Sequence, residues 1–534
     1  MKFSIAPILA MLAVLMSGCD QSPLGPRPPG TWLAGDFHNH TFLTDGNHTL
    51  SEVVSKGFSF GLDWMANSEH GGAYGRDPLG RPWDETIARL GNPPKGKMWR
   101  WQSLWQQARS DVRKLGDARP DKLLLLGYEW NVPGHDHASV GIVGPPDDSA
   151  LALAQHEYLF DVSDTGTDAN GILGVEGKIV DSSHKKALAG VAWLEERFPD
   201  NSYCIVNHPS RLQQYSVADL RDLNNAAPRV VFGFEGVPGH QKSSWSRGGY
   251  GHGPLTDPSG RDVTDFARTY GGADWMLAKV GGAWDALLGE SRAFYAFANS
   301  DFHSPEGDFW PGEYAKTHTL AHDTDRNGVI SQDELLDGLR SGTTFFALGG
   351  LIDGLDFSIG CRRSQAGMGE TLTTDHACGV DVEIRFHVPN PKGASPPIDV
   401  DHIDLIAGET RGRIPKFLAD GRTPNPDYQA DTNATTAVVA TFTARDWVAE
   451  NPSRTDSPAL GGGGAWRVIR HRVEDVNRNT YFRLRGTNLG CGVPNETDDQ
   501  CNPVRDELAG ENSQPLAMAD LWFYSNPIFV RVRD

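Results

Sequence analysis

The stretch Leu123-Leu124-Leu125-Leu126-Gly127-Tyr128-Glu129-Trp130 is a short apolar run that carries a carboxylate at its end. A run of this length without helical spacing reads as a strand. Similar runs stand at Tyr203 to Asn207, Val230 to Phe234 and Phe294 to Asn299, and helix-like stretches at Trp101 to Leu115, Lys185 to Arg197 and Asp333 to Arg340 alternate with them. From residue 34 to about 350 this alternation predicts an α/β domain with parallel strands. Beyond 351 the texture changes. Val380 to His387, His402 to Ile406, Thr480 to Arg485 and Asn526 to Arg533 carry β-type residues between loops rich in Gly, Pro and Asn. They predict a second, β-sandwich-like domain over 351–534, with Gly461 to Gly464 as a flexible loop. No solenoid repeat is present.

The 534 residues leave room for two to four domains at about 150 residues each. Lys and Arg total 49 against 69 Asp and Glu, a formal charge of -20 that repels phosphate backbones and argues against nucleic-acid binding. At the N-terminus, Lys2 precedes an apolar stretch from Phe3 to Met16, shorter than the roughly 20 residues of a membrane span. Met16-Ser17-Gly18-Cys19 resembles a bacterial lipoprotein cleavage box, so 1–18 is expected to be a signal peptide and 19–33 a Pro-rich tether. The expected location is the periplasm or cell surface of a bacterium, with a lipid on Cys19 holding the chain to a membrane. A plain signal peptide with an incidental Cys is the alternative. Export favours disulfides. Cys361 with Cys378 and Cys491 with Cys501 are spaced to close short loops, although other pairings stay open, and Cys204 sits in an apolar run as a buried, inert thiol.

Chemistry gathers where the apolar runs end. His38 and His40, in Gly35-Asp36-Phe37-His38-Asn39-His40, are two apart, and alternate residues of a strand share a face, so both imidazoles can hold one cation. Asp45, His70, Glu129, His137, His208, Asp301 and His303 follow in comparable settings. Each alone has a structural explanation as a hydrogen-bond partner. Together, imidazoles and carboxylates in this number suit two or three divalent transition-metal ions, Zn²⁺, Mn²⁺ or Fe. Arg211, after His208-Pro209-Ser210, is placed to orient an anionic substrate, with a salt-bridge role as the alternative. Glu235 and His240 are expected at the same mouth, His240 as a candidate acid for a leaving group or as a turn-stabilising residue.

These residues resemble the PHP (polymerase and histidinol phosphatase) family of metallohydrolases. The marks are His38-x-His40-Thr41 with Asp45-Gly46, the Glu69-His70 step, Glu129, Asn207-His208-Pro209, and Ser300-Asp301-x-His303. The resemblance covers 34–350 and implies a distorted (β/α)7 barrel holding up to three metals at its strand ends. It implies one metal on His38, His40, Glu129 and Asp301, and a second on Glu129, His137 and His208, with Glu129 bridging. A third would use Asp45, His70 and His303. In the 135–137 segment His137 is the favoured ligand, and His135 an outer or structural group. The exported, sandwich-bearing form looks most like the branch that includes carbaryl hydrolase. The expected function is hydrolysis of a small-molecule phosphoester by metal-activated hydroxide, with a carbamate or carboxylic ester as the alternative substrate. A surface binding module with an inactive barrel, and a deacetylase or amidohydrolase, are the competing classes. An amidohydrolase would be expected to supply a bridging Lys where this chain has Glu129.

A separate site is expected at Asp323 to Glu334, which matches a twelve-position EF-hand loop. Asp323, Asp325, Asn327, Ser331 and Glu334 supply side-chain oxygens, Val329 its carbonyl, and Gly328 the turn. Thr317 to Ala321 reads as a strand, so only half of a helix–loop–helix is expected. A solvated acidic turn capping the next helix is the alternative to structural Ca²⁺. The insertions Gly71 to Arg100, Asp147 to Lys186 and Gln241 to Asp274 are expected to wall the pocket.

Overall fold

The computed structural model describes residues 30–84, 89–178, 180–243, 256, 260, 262–389, 398–449, 464–507 and 514–533. The expected signal segment with Cys19, the expected tether up to residue 29, positions 461–463 of the expected glycine loop and parts of the Gln241 to Asp274 insertion lie outside the described residues.

The fold is mixed α/β, built on one large sheet. Seven strands of its N-terminal part are β1 (Thr31–Asp36), β2 (Trp64–Asn67), β3 (Leu123–Asn131), β4 (His137–Ile142), β5 (Ser202–Val206), β6 (Gly233–Val237) and β7 (Tyr295–Ala298), in the lateral order β7-β6-β5-β4-β3-β2-β1. β1, β2 and β3 run parallel, as do β5, β6 and β7. The expectation of parallel strands fails at β4, which is antiparallel to both β3 and β5. The reason is local: only Val132 to Asp136 separate β3 from β4, too few residues for the crossover that a parallel neighbour requires. The strand expected at Val230 to Phe234 begins at Gly233, and the helix expected over 101–115 is interrupted by a π-helical turn at Leu104–Ala108.

The first and seventh strands meet just beyond their ends. Phe37 N donates to Asn299 Oδ1 at 2.8 Å, Ser300 N to Asp36 Oδ2 at 2.9 Å, and Asn39 bridges Phe302 in parallel. Between the strands lies an aromatic core. The Phe37 ring meets Trp64, Tyr203 and Phe297 at centroid distances of 4.8, 5.0 and 5.5 Å, and all four side chains are buried. Gly35 makes the packing possible, because a Cβ there would lie 1.9 Å from Trp64 Cε2. The helix Gln332–Ser341 adds Leu335, Leu336 and Leu339 to this core. Each buried leucine contributes roughly 1.5–3 kcal/mol. Ser331 and Glu334 form a capping box at the helix start, and Gly342, at φ 76°, ends it.

β8 (Ala315–Ala321) pairs antiparallel with β1, β9 (Thr344–Leu348) with β8, and Trp522–Ser525 with β9. Hydrogen bonds therefore cross the change of texture at 351. Trp522–Ser525, Thr480–Thr487, His402–Glu409 and Ala437–Thr443 continue the large sheet, and Thr371–Thr374 and Ile528–Val532 attach to it. A second, five-stranded antiparallel sheet runs Ser364–Gly367, Gly354–Cys361, Cys378–Pro389, Gly464–Val476 and Val448–Ala449. Cys361 pairs with Cys378 and Cys491 with Cys501. Cys204 is buried, and burial pushes its thiol up to about 12, so it is inert at neutral pH.

Candidate metal centre

The nine candidate ligands converge at one end of the seven strands. His38 and His40 follow β1, His70 follows β2, Glu129 lies in β3, His208 follows β5, and Asp301 and His303 follow β7. The antiparallel β4 starts where the parallel strands finish, which brings His137, its first residue, to the same end. Alternation sends Phe37 into the aromatic core and His38 and His40 the other way. His208, His240 and Asp301 adopt φ of 29°, 53° and 44°, a left-handed backbone that costs a non-glycine residue of order 1 kcal/mol and concentrates at functional sites. Gly239 lets that backbone close up, since a Cβ there would lie 1.9 Å from Ser300 O.

Glu129 stands at the centre. Its Oε1 lies 3.1 Å from His38 Nε2, 3.0 Å from His137 Nδ1 and 3.2 Å from His208 Nε2. Its Oε2 lies 2.7 Å from His70 Nδ1 and 3.4 Å from His40 Nε2. Asp301 Oδ1 is 3.1 Å from both His38 Nε2 and His40 Nε2, which are themselves 3.0 Å apart. Toward the mouth, Asp45 Oδ2 lies 3.3 Å from His70 Nε2 and 3.5 Å from His303 Nε2. The structure thus brings the members of the expected quartet and of both expected trios together, and it adds His40 to the Asp45, His70 and His303 group, with donor atoms within 4.8 Å. His38, Glu129 and Asp301 are fully enclosed, whereas Asp45 and His303 are 46% and 28% exposed. The site is a funnel with a closed floor.

The donor set fits divalent cations. Glu129 Oε2 and His70 Nδ1 face one another at 2.7 Å, yet neither makes a hydrogen bond, and His40 Nδ1 is also buried without one. Buried polar atoms are normally satisfied, so crowded donors aimed together but not at each other fit a shared cation. Burial works against ionising Glu129, but His137, His38 and His70 hold its carboxyl well below the usual range. Burial likewise opposes charge on His38, and Asp301, Glu129 and Glu235 outweigh it and raise its pKa well above the ordinary value. His40, buried beside His303 and His70, falls to about 4.

The remaining expected residues are placed as follows. Arg211 does not reach into the funnel unpaired: its Nη2 and Nε donate to Asp136 at 2.8 and 3.2 Å, a bidentate pair, and the same Nη2 lies 3.3 Å from His137 Nδ1. Both nitrogens of His240 engage carboxylates, Asp301 Oδ2 at 2.6 Å and Asp308 Oδ1 at 2.9 Å, leaving neither for a leaving group. His135 faces away from the cluster, toward Gln214 O and His184. Glu235 lies behind it, fully buried. It accepts from His38 Nδ1 at 2.7 Å, His208 N at 2.8 Å and Asn299 Nδ2 at 2.8 Å. Glu235→Gln is therefore expected to lower metal affinity about 10–100-fold while leaving the fold intact, measured by competition with a chromogenic chelator. Asp136, a third candidate ligand that the 135–137 segment offers, pairs instead with Arg211. Asp308 is a neighbour the sequence did not single out, since nothing local marks it.

In the calcium-type loop, Asn327 N donates to both Asp323 Oδ1 and Asp325 Oδ1 at 3.0 Å, and Gly328 N to Asp323 Oδ2 at 2.8 Å. Glu334 accepts from Thr324 Oγ1 at 2.7 Å and from Ser331 N at 3.0 Å. Val329 is exposed in the same turn.

No family model matches this sequence, and no curated protein matches it either. Among solved structures, a two-domain protein from Bacteroides vulgatus, described as containing a predicted PHP-like metal-dependent phosphoesterase, aligns over 93% of this chain and 98% of its own, at 12% identity and a TM-score of 0.34. An overlap of that quality fixes neither the fold nor the chemistry of this chain, which rest on its own side chains.

Proposed function

We propose that the chain is a metal-dependent hydrolase of the PHP type, with a phosphoester as its substrate. The observation that carries this is Glu129, a buried carboxylate with five imidazoles within 3.4 Å of its two oxygens. His38, His40, Glu129 and Asp301 would hold one ion, Glu129, His137 and His208 a second, and Asp45, His70 and His303, joined by His40, a third. Divalent ions held there supply Lewis acidity and a nucleophile at neutral pH. The protein's own part is positional. Glu235 orients the His38 ring, and His240, tied to Asp308, orients Asp301. Asp136 fixes Arg211 beside His137, where the outer edge of the guanidinium is available to an anionic group entering the funnel. That pairing also supports a second reading. A guanidinium already neutralised by Asp136, on a chain of net charge -20, attracts a phosphate less and leaves room for an uncharged carbamate or carboxylic ester.

The test compares aryl phosphodiester with aryl carbamate hydrolysis by protein reconstituted with Zn²⁺ or Mn²⁺, alongside elemental analysis. At least two transition-metal ions per chain are expected, and fewer than one in folded protein refutes the centre. Asp301→Asn should lose all turnover. Arg211→Ala should lose phosphodiester turnover selectively, whereas efficient carbamate cleavage untouched by Arg211→Ala, without phosphoesterase activity, overturns the phosphate assignment.

The same proposal includes a distorted (β/α)7 barrel over 34–350 and a β-sandwich-like domain over 351–534. The closure contacts between Asn39 and Phe302 support the first, and the two C-terminal sheets support the second. It includes export as a lipoprotein of the carbaryl hydrolase-like branch; the two cysteine pairs suit an oxidising compartment. It also includes structural Ca²⁺ at 323–334, where hard oxygen donors differ in kind from the imidazoles of the funnel. Asp323→Ala combined with Glu334→Ala is expected to abolish the rise in thermal midpoint that Ca²⁺ gives the parent protein, with the response to Mn²⁺ or Zn²⁺ retained. An equal calcium response in both proteins would mean that the loop is only a turn.

A further inference from the structure

Outside the funnel, three partly exposed side chains converge where the β3–β4 turn meets the starts of two helices. They are His135, His184 at the first position of helix His184–Arg197, and Asp219 in the first turn of helix Val217–Ala226. Their donor atoms lie within 4.8 Å of one another. His135 Nε2 and His184 Nδ1 are 2.7 Å apart, and Asp219 Oδ1 is 3.9 Å from His184 Nδ1.

The far sides of these groups decide the chemistry. His135 Nδ1 lies 2.7 Å from the carbonyl of Gln214, which can only accept, so the proton of the neutral ring sits on Nδ1. His184 Nε2 faces Asp222 Oδ2 at 3.3 Å, and that carboxylate also takes a hydrogen bond from Lys416, so the second ring carries its proton on Nε2. With both rings neutral, their lone pairs would face each other at 2.7 Å, an arrangement that a cation shared between the rings relieves. Asp219 is arranged in the same way. Its Oδ2 accepts from Ser216 N at 2.9 Å and Ser216 Oγ at 2.6 Å, which leaves Oδ1 toward His184. Tyr215 stacks on His135 at 4.7 Å and fixes its plane. Imidazoles whose outer N–H groups are held by a carbonyl and a carboxylate, joined by one carboxylate oxygen, have the outer support that metal-binding histidines ordinarily have.

We propose that His135, His184 and Asp219 form a separate transition-metal site, of the kind that takes Zn²⁺, with a fourth position open to solvent. An ion held at about 2.1 Å would ask the two nitrogens to part to roughly 3.4 Å, a small movement for rings at a turn and a helix start. Its effect is to clamp the β3–β4 turn, and with it the backbone beside His137, to the two helices. The donor set of two imidazoles and one carboxylate selects borderline ions over Ca²⁺ or Mg²⁺.

The test uses the full chain dialysed against buffered Zn²⁺ and analysed for metal. His184→Gln and His135→Gln are each expected to bind one ion fewer than the parent and to lose one increment of the zinc-induced rise in thermal midpoint. Asp219→Asn, which keeps the Ser216 cap, should weaken that ion about ten-fold. Glu129→Gln should keep the ion while losing those of the funnel, so failure here and failure of the proposed hydrolase centre are told apart. In crystals soaked with zinc, an anomalous peak is expected between the two rings. Equal zinc content in the parent and His184→Gln, or in the parent and His135→Gln should the first variant not fold, overturns the proposal.

Discussion

Glu129→Gln strips the strand-end centre of its ions and lowers hydrolysis by on the order of a thousandfold or more. The residue is not one ligand among nine: its two oxygens are approached by His38, His137 and His208 on one side and by His70 and His40 on the other. Loss of outer residues that merely orient ligands already lowers metal affinity or activity about 10–100-fold, so loss of a carboxylate shared between groups must exceed that. Gln keeps the shape and can still accept from Asn207 Nδ2, which lies 2.9 Å from Oε1, so the fold should survive. It removes the negative charge that gathers the imidazoles. Metal analysis of the folded variant is the direct readout, with turnover beside it. A variant that keeps its full complement of ions would mean that the carboxylate does not join the groups.

Asp285→Ala is expected to cost about 3–5 kcal/mol of stability, the range for breaking a buried ion pair by removing one partner. Asp285 and Arg483 are both almost wholly buried. Arg483 Nε and Nη2 donate to the two Asp285 oxygens at 2.8 and 2.7 Å, and Tyr481 Oη adds a third hydrogen bond at 2.9 Å. The truncation leaves a guanidinium in the core with no counter-charge. Asp285→Leu with Arg483→Met removes both charges and should recover most of the loss, because two desolvated charges and a well-packed apolar pair are of similar worth. Chemical denaturation of the three proteins decides the matter. If the double variant is as unstable as Asp285→Ala, the cost lies in packing rather than in an orphaned charge. Arg81→Ala, which removes an exposed i,i+4 pair with Asp77, should leave the midpoint nearly unchanged.

What could be read from the chain, and what could not, follows from the range of each interaction. Most of the candidate ligands could be singled out because they sit at the end of a local apolar run, and two-residue spacing places His38 with His40, and Asp301 with His303, without knowledge of the fold. The sequence also marked Asp333 to Arg340 as a helix, and the structure extends it to Gln332–Ser341 with a capping box at its start. It missed the direction of β4, since the short turn at 132–136 was read for its histidines rather than its length. For Arg211 and His240 it left a substrate role and a structural role both open, because Asp136 and Asp308 become their partners only through folding, 75 and 68 residues away in the chain. The pairing of β9 with Trp522–Ser525 was equally hidden: composition changes at 351, but backbone hydrogen bonds take no account of composition.

The closure between Asn39 and Phe302 has a consequence for the order of events in the cell. His40 and Asp301 meet across 261 residues of sequence, and nothing short of β7 in place supplies Asp301 or His303. A nascent chain that has released β1 to β6 from the ribosome owns most of the imidazoles but not the carboxylate that closes the floor. Contacts this distant form late, since the entropy of closing so long a loop must be met before they return anything. If the proposed centre holds its ions, full loading would report that β7 has docked, and chains arrested before residue 301 should emerge metal-poor.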